Sequence, residues 1–328
     1  MALVEPLQFE RLVVTRNPES TNARSGQRLL GLLNEAFPGR LHEIGTYRDP
    51  HANIEHVAEH LRDGDIVAPF GGDSTVGQAA GAIALRDDLG RVPLAPLPLG
   101  HANQMALMLN SPLRYRRPAS IFRRGRTVPM YPFVFRAAGR PESEARLALF
   151  AIGIGITGVS AARLDTPEFR KHRFSRTPVL KRIPESQVIL RGLRDSRPFR
   201  KDGEPRVEVL VVNGRRAAKY GRFDVELPDQ AFALLELADK RPASLAPVLG
   251  RFAMQLTQPT ERVTSGALEF TVESLDGEPI IGQHDGQPFV IEPGRVSITR
   301  AERPLYVVTT RRSLYRRAAR NAIERPDR

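Results

Sequence analysis

The sequence predicts an α/β protein of two domains: an α/β domain with a parallel sheet over residues 1–127, then a β-rich, sandwich-like domain over 128–310 that carries a helical insertion. A basic tail, 311–328, is expected to return to the first domain. Three observations predict this. Strand-length apolar runs alternate with helix-periodic segments through the first third of the chain. Short β-type runs separated by Gly, Pro and Asp turns fill most of the remainder. The length of 328 residues also favours two cores over one.

Taken in order, residues 11–15 (RLVVT) form a short apolar run, and Asn17-Pro18 with residues 20–22 make a turn. Residues 23–37 then place Leu29, Leu30, Leu32, Leu33 and Phe37 at helical spacing. A second helix is expected over 50–62, with Ile54, Val57, Ala58 and Leu61 on one face, then Asp63-Gly64 and a strand over 65–69. Gly71-Gly72-Asp73-Ser74-Thr75 leads into an Ala-rich helix over 76–85, and residues 92–99 form a further buried segment before Gly100. This βαβαβ order is that of a parallel sheet wrapped by helices. Beyond it, β-type runs occupy 128–136, 147–156, 206–212, 268–272, 289–291, 296–299 and 305–310, with the helical insertion near 162–200. No repeat of fixed period is present.

Composition removes several chemistries. With no Cys there is no disulfide, thiolate zinc site, Fe–S cluster or Cys nucleophile. The 49 Lys+Arg against 37 Asp+Glu give a net charge of +12, with Lys only at positions 171, 181, 201, 219 and 240. Such a charge attracts polyanions: nucleic acid, an anionic membrane surface or phosphorylated ligands. In the most apolar candidate for a membrane span, residues 147–162, the uncharged stretch is 16 residues and contains Gly153, Gly155 and Gly158. That is short of the ~20 residues a transmembrane helix needs. The N-terminus, with Glu5 and Glu10, lacks the basic start of a signal peptide. The expectation is a soluble, cytoplasmic protein that touches the inner membrane face. No nucleic-acid module is recognised, and the aromatics form no stacking set.

Two turns carry the chemistry. The apolar strand 66–70 followed by Gly71-Gly72-Asp73-Ser74-Thr75 and a helix is the geometry in which backbone amides and a helix dipole receive phosphate oxygens. The alternative is a plain strand-to-helix turn with Asp73 or Ser74 as N-cap. About thirty residues on, Pro98-Leu99-Gly100-His101-Ala102-Asn103-Gln104-Met105-Ala106 repeats the arrangement. Adjacent turns of this type open at the carboxyl ends of their strands, where open α/β sheets bind ligands. Asp276-Gly277-Glu278, by itself, is a hairpin turn.

In this order, Asn17-Pro18, the Gly71 to Thr75 loop, the Pro98 to Ala106 segment and the late Asp276-Gly277-Glu278 together resemble the diacylglycerol kinase catalytic family. That family takes in soluble bacterial lipid kinases and the sphingosine kinases, and it shares its Gly-Gly-Asp loop with NAD kinases. The resemblance spans about residues 10–300. It implies phosphoryl transfer from ATP to a lipid hydroxyl, with a diacylglycerol-like acceptor and Mg²⁺ as cofactor. It implies a nucleotide held by the first domain, with the active site in the cleft between domains. On the nucleotide side it implies Asn17, Gly71, Gly72, Asp73, Ser74, Thr75, Gly100, His101 and Asn103. Asp73 would organise Mg²⁺. Glu278 would be the general base that takes the acceptor's proton, with Asp276 beside it. The implied partner is a lipid substrate at an anionic membrane surface, and a homodimer is compatible with the family.

Three positions depart from the family pattern: Ser74 stands for its third glycine, His101 for a Thr and Gln104 for an Asp. The family's Asp-Asp-Gly metal site reads Gln230-Ala231-Phe232 here, so that metal is not expected. These departures leave a second reading open, a nucleotide-binding regulatory or scaffold protein that has lost the reaction, and behind it an NAD kinase.

Two further features stand apart. His56 and His60 at i, i+4, with Glu55 and Glu59 nearby, could seat a metal, although the apolar stripe beside them turns them toward water. Residues 114–126 and 163–200 are Arg-rich, and in the second stretch Phe169, Phe174, Ile183, Val188, Ile189 and Leu193 interleave with the charge, as an interfacial helix would require.

Overall fold

The computed structural model describes residues 7–16, 23–47, 49–87, 91–99, 104–109, 118–137, 146–164, 188, 190–213, 216–217, 221–225, 231–253, 257–258, 260–264, 267–314, 316 and 318. The chain divides into two units, the first ending at Pro132 and regained from Ala301, the second covering Phe133–Val225 and Ala231–Arg300.

In the first unit, strands β1 (Arg11–Arg16), β2 (Leu41–Gly45), β3 (Asp65–Gly71) and β4 (Leu97–Pro98) form a parallel sheet in the order β2-β1-β3-β4. Helices α1 (Ala23–Ala36), α2 (Pro50–His60) and α3 (Asp73–Leu85) supply the crossovers. The central strand β3 is buried at every position, as a parallel strand covered on both faces must be. Its start is fixed by Arg11, whose guanidinium grips the buried Asp65 with two hydrogen bonds of 2.8 and 2.7 Å and donates a third to His60 O. Phe9, Phe37 and Phe122 close one end of the core, Phe37 meeting the other two edge to face, with ring centroids 5.3 to 6.1 Å apart. Two short helices follow, α4 (Gln104–Leu109) and α5 (Ala119–Arg124).

The structure corrects the expected boundary. The run expected at 128–136 is two strands, β5 (Arg126–Met130) and β6 (Phe133–Ala137), because Pro132 breaks it between the units. The strand Leu305–Thr309, expected in the β-rich domain, pairs antiparallel with β5 and bridges to Leu94, so it belongs to the first unit. Of the buried segment 92–99, only Leu97–Pro98 is strand. The expected helix 76–85 starts three residues earlier, at Asp73. Most of the tail 311–328 and of the insertion 162–200 lies outside the described residues.

The second unit is a sandwich. Its strands are β6, β7 (Arg146–Ala148), β8 (Ala151–Gly155), β9 (Phe199–Lys201), β10 (Glu204–Arg206), β11 (Glu208–Val212), β12 (Arg216–Ala217), β13 (Gly221–Arg222), β14 (Phe232–Leu237), β15 (Glu261–Val263), β16 (Ala267–Ser274), β17 (Ile280–His284), β18 (Gln287–Ile291) and β19 (Gly294–Arg300). Six form one sheet, in the order β10-β9-β16-β19-β6-β7, and six the other, in the order β15-β14-β11-β8-β17-β18. Phe133, Phe270 and Ile298 from the first meet Ile152, Val211 and Phe289 from the second in one core. Helix α6 (Ile156–Leu164) follows β8, and α7 (Pro242–Ala253) follows β14.

The single run expected over 147–156 is divided at Leu149-Phe150, where the chain leaves one sheet and enters the other. Asp285 holds this corner. It occupies the β17–β18 turn with φ 50°, followed by Gly286 at φ 84°, the left-handed pair that an Asp-Gly hairpin favours. Its buried carboxylate accepts from the amides of Leu149, Phe150 and Ala151 at 2.6, 3.0 and 3.1 Å. Asp285→Ala strands three buried donors, so a loss of about 3 kcal/mol or more is expected in urea denaturation. A variant within about 0.5 kcal/mol of the parent would show that the corner does not need the carboxylate.

Candidate functional site

The site grows from the end of β3. A Cβ on Gly71 would overlap Thr75 Oγ1 and lie 2.6 Å from Thr75 Cβ, so only glycine lets the strand end meet the first turn of α3 this closely. Gly72 caps α3 through its backbone alone, accepting from Val76 N at 3.1 Å, and as a glycine it brings no capping side chain of its own. Ahead of that bond come the amides that a helix start cannot satisfy internally, at the positive end of its dipole. Asp73 and Ser74 are helical residues and not N-caps, so the plain capping alternative is not the one the chain adopts.

Two other helix starts are closed from within. Asp49 Oδ1 accepts from His51 N and Ala52 N at 2.7 and 3.1 Å at the start of α2. At α6, Glu208 accepts from Thr157 N at 2.9 Å with one oxygen and from Thr157 Oγ1 with the other. Here the device of β3 recurs: a Cβ on Gly153 would overlap Thr157 Oγ1 as one on Gly71 would overlap Thr75. The difference lies in the cap. The α6 start takes a carboxyl group from a distant strand, whereas the α3 start is capped by a glycine that has no side chain and carries its acidic residue, Asp73, in its own first turn.

The second turn stands beside the first because β3 and β4 are parallel in the register Phe70↔Leu97 and Gly71↔Pro98. Asp73 joins the two, its Oδ1 accepting from Met105 N at 3.4 Å in the first turn of α4. Gln104 is the first residue of α4. Asn17, Gly100, His101 and Asn103 lie outside the described residues. Ser74 is exposed and helical, and the only non-glycine residues with positive φ among those described are Asp87, Asp202 and Asp285. A serine in place of the family's glycine therefore costs no backbone strain here.

A polar relay that sequence reasoning missed reaches Ser74 from α2. The buried Asn53 accepts from Tyr47 N at 2.9 Å and donates to Gln78 Oε1 at 2.6 Å, and Gln78 Nε2 reaches Ser74 Oγ at 3.4 Å. The available signal was an asparagine on the buried side of α2 with Val57 and Ala58.

Asp276 and Glu278 belong to the second unit, in the turn between β16 and β17, with side-chain exposures of 44% and 57%. Asp276 Oδ1 accepts from Glu278 N at 3.1 Å, and Gly277 has φ 75°. Arg197 pairs with Asp276 at 2.9 Å and reaches Glu278 at 3.7 Å. The Glu278 amide, ahead of Arg197, holds the Asp276 carboxyl below its ordinary value. Asp276 thus shapes the turn that presents Glu278 to solvent.

Burial pushes the Glu208 carboxyl up from 4.5 to about 8, against the hydrogen bonds from Thr157. Between those values the folded protein keeps a proton that the unfolded chain releases, so stability should fall as pH rises through that window and level off above it. Urea midpoints at pH 5, 7 and 8.5 should therefore decline in the parent and decline less in Glu208→Gln. Parallel declines in both would assign the slope to other groups.

The family model for the diacylglycerol kinase catalytic domain matches residues 11–132. No curated protein matches the sequence. A diacylglycerol kinase structure from Bacillus anthracis str. Sterne is 17% identical, with a TM-score of 0.59 over 93% of this chain and 98% of its own. Two further structures from that organism, provisionally named diacylglycerol kinases, are 18% and 19% identical, with TM-scores of 0.62 and 0.63 over 92% of this chain and 97% of theirs. At such identities the likeness is one of fold, the two-domain α/β arrangement of these proteins. Over residues 11–132 the chain is thus similar to the diacylglycerol kinase catalytic domain, and its fold is that of these bacterial structures.

Proposed function

We propose that the chain is an ATP-dependent lipid kinase that transfers the terminal phosphoryl group of ATP to a lipid hydroxyl, with diacylglycerol as the first acceptor to test. The observation that carries this reading is the glycine-capped start of α3, pressed against the end of a buried parallel strand in a segment matching a kinase family. Phosphoryl transfer asks mainly for positioning and charge neutralisation, and a backbone cradle at Gly71 to Thr75 supplies both.

The fit to Mg²⁺ rests on Asp73, a hard oxygen donor at the helix start, in the manner of sites where one or two carboxylates share the ion with substrate phosphates. When bound, the ion neutralises phosphate charge. The chain's own part is to hold the phosphates on the α3 amides, to orient Asp73 through Met105 N, and to line the nucleotide side with Asn17, Gly100, His101 and Asn103. Glu278 takes the proton of the acceptor hydroxyl, and Asp276 fixes the turn that carries it. The net charge of +12 and the exposed Leu190 with Arg191 and Arg194 near it support action at an anionic membrane surface. No helix among the described residues is long and apolar enough to cross a membrane.

The pairing of Glu278 with Arg197 favours a second reading, a nucleotide binder without turnover, because the guanidinium at 3.7 Å competes with an acceptor hydroxyl for the carboxylate. One set of assays separates the two. Labelled ATP is offered with diacylglycerol, sphingosine, phosphatidylglycerol and NAD, alongside calorimetry with MgATP. Label in a lipid is the expected result, label in NAD alone overturns the lipid reading, and binding without label selects the second. Asp73→Ala should weaken MgATP binding at least tenfold. Glu278→Ala should bind normally and lose roughly 10²–10⁴ in turnover. Equal loss of binding in both would remove the role given to Glu278.

A further inference from the structure

The last turns of α2 carry a cluster that the kinase reading does not use. His56, Glu59 and His60 each bring one ligand atom within 4.8 Å of the other two. The i, i+3, i+4 spacing sets all three on one face of the helix. His60 Nδ1 lies 2.8 Å from His56 O. A carbonyl only accepts, so Nδ1 carries the proton and Nε2 of the neutral ring keeps its lone pair, the tautomer a metal ligand requires. The rings of His56 and His60 are 4.5 Å apart.

The frame is built before any ligand arrives. Asp49 and Pro50 set the start of α2, and Arg11 holds its last carbonyl, at His60, at 2.7 Å. Arg11 is itself bound bidentately to Asp65, which offsets its charge near the histidines. A separate observation points to a missing partner. His42 stacks on His60 at 6.2 Å between ring centroids, and its Nε2 is buried with no hydrogen-bond partner among the described residues.

From this arrangement we propose that His56, Glu59 and His60 form a binding site for a late first-row divalent metal, zinc foremost. Two imidazoles and a carboxylate are the borderline donor set that zinc prefers over Mg²⁺, which separates this site chemically from the nucleotide's metal. Tetrahedral zinc with bonds of 2.0–2.2 Å places its ligand atoms about 3.4 Å apart, which side-chain rotation on the exposed helix face achieves from the present spacing. A water in the open fourth position offers the partner that His42 Nε2 lacks.

The test is calorimetric titration of the full chain, without a polyhistidine tag, with Zn²⁺ in a buffer containing millimolar Mg²⁺. One zinc per chain is expected. His56→Gln and His60→Gln should each weaken it at least tenfold with the far-ultraviolet circular dichroism unchanged. His51→Gln, an exposed histidine in the first turn of the same helix, should bind as the parent does. Co²⁺ in place of Zn²⁺ should give a visible absorption band that is lost in His60→Gln. Absence of stoichiometric uptake, or uptake that neither the His56 nor the His60 variant diminishes, overturns the proposal. Because Asp73→Ala leaves all three ligands intact, its zinc titration should match the parent's whatever becomes of its nucleotide binding.

Discussion

The first unit is organised by the burial of β3 and by the way that strand ends. A strand covered on both faces and paired in parallel on both edges cannot shift without exposing Ile66, Val67, Ala68 and Phe70 together. Its start is locked by the paired charges of Arg11 and Asp65, and a buried pair of this type is costly to break from one side. Its end is locked by contact, since Gly71 lies against Thr75 with no room for a Cβ. Strand and helix are joined at a defined angle as a consequence, and the amides at the start of α3 point where the packing sends them. The position of the candidate nucleotide site follows from this packing.

The helix starts show how one backbone device is put to two uses. At both α3 and α6 a glycine at a strand end is pressed against a threonine four residues later. At α6 the positive pole is filled by Glu208, which is 3% exposed and pushed toward its neutral form by that burial. At α3 the acidic residue is Asp73, carried in the helix's own first turn, behind a glycine cap that has no side chain. Asp73 and the relay from Asn53 through Gln78 to Ser74 place polar groups around the same helix turn, tying the site to α2 on one side and α4 on the other.

Much of the first unit was legible in the sequence because parallel α/β units write their periodicity plainly: the run 11–15, the helix beginning at 23 and the buried run before Gly71 all fall where patterning puts them. Local pattern could not show which sheet a short strand joins. Residues 147–156 read as one strand, yet the chain turns between sheets at Leu149-Phe150 on account of Asp285, more than 130 positions away. Likewise Leu305–Thr309 has the pattern of any β-run, and only its pairing with β5 assigns it to the first unit. The site was legible in its turns and not in its supports. Gly71 and Asp73 announce themselves, while Asn53 and Gln78 act through contacts between helices that no spacing rule encodes.

A crystal structure of the protein with ATP and Mg²⁺ would bear on the central claim most directly. The account predicts phosphate oxygens within hydrogen-bond distance of the amides at the start of α3, with Asp73 facing the ion. Nucleotide bound elsewhere, with those amides facing only solvent, would contradict it.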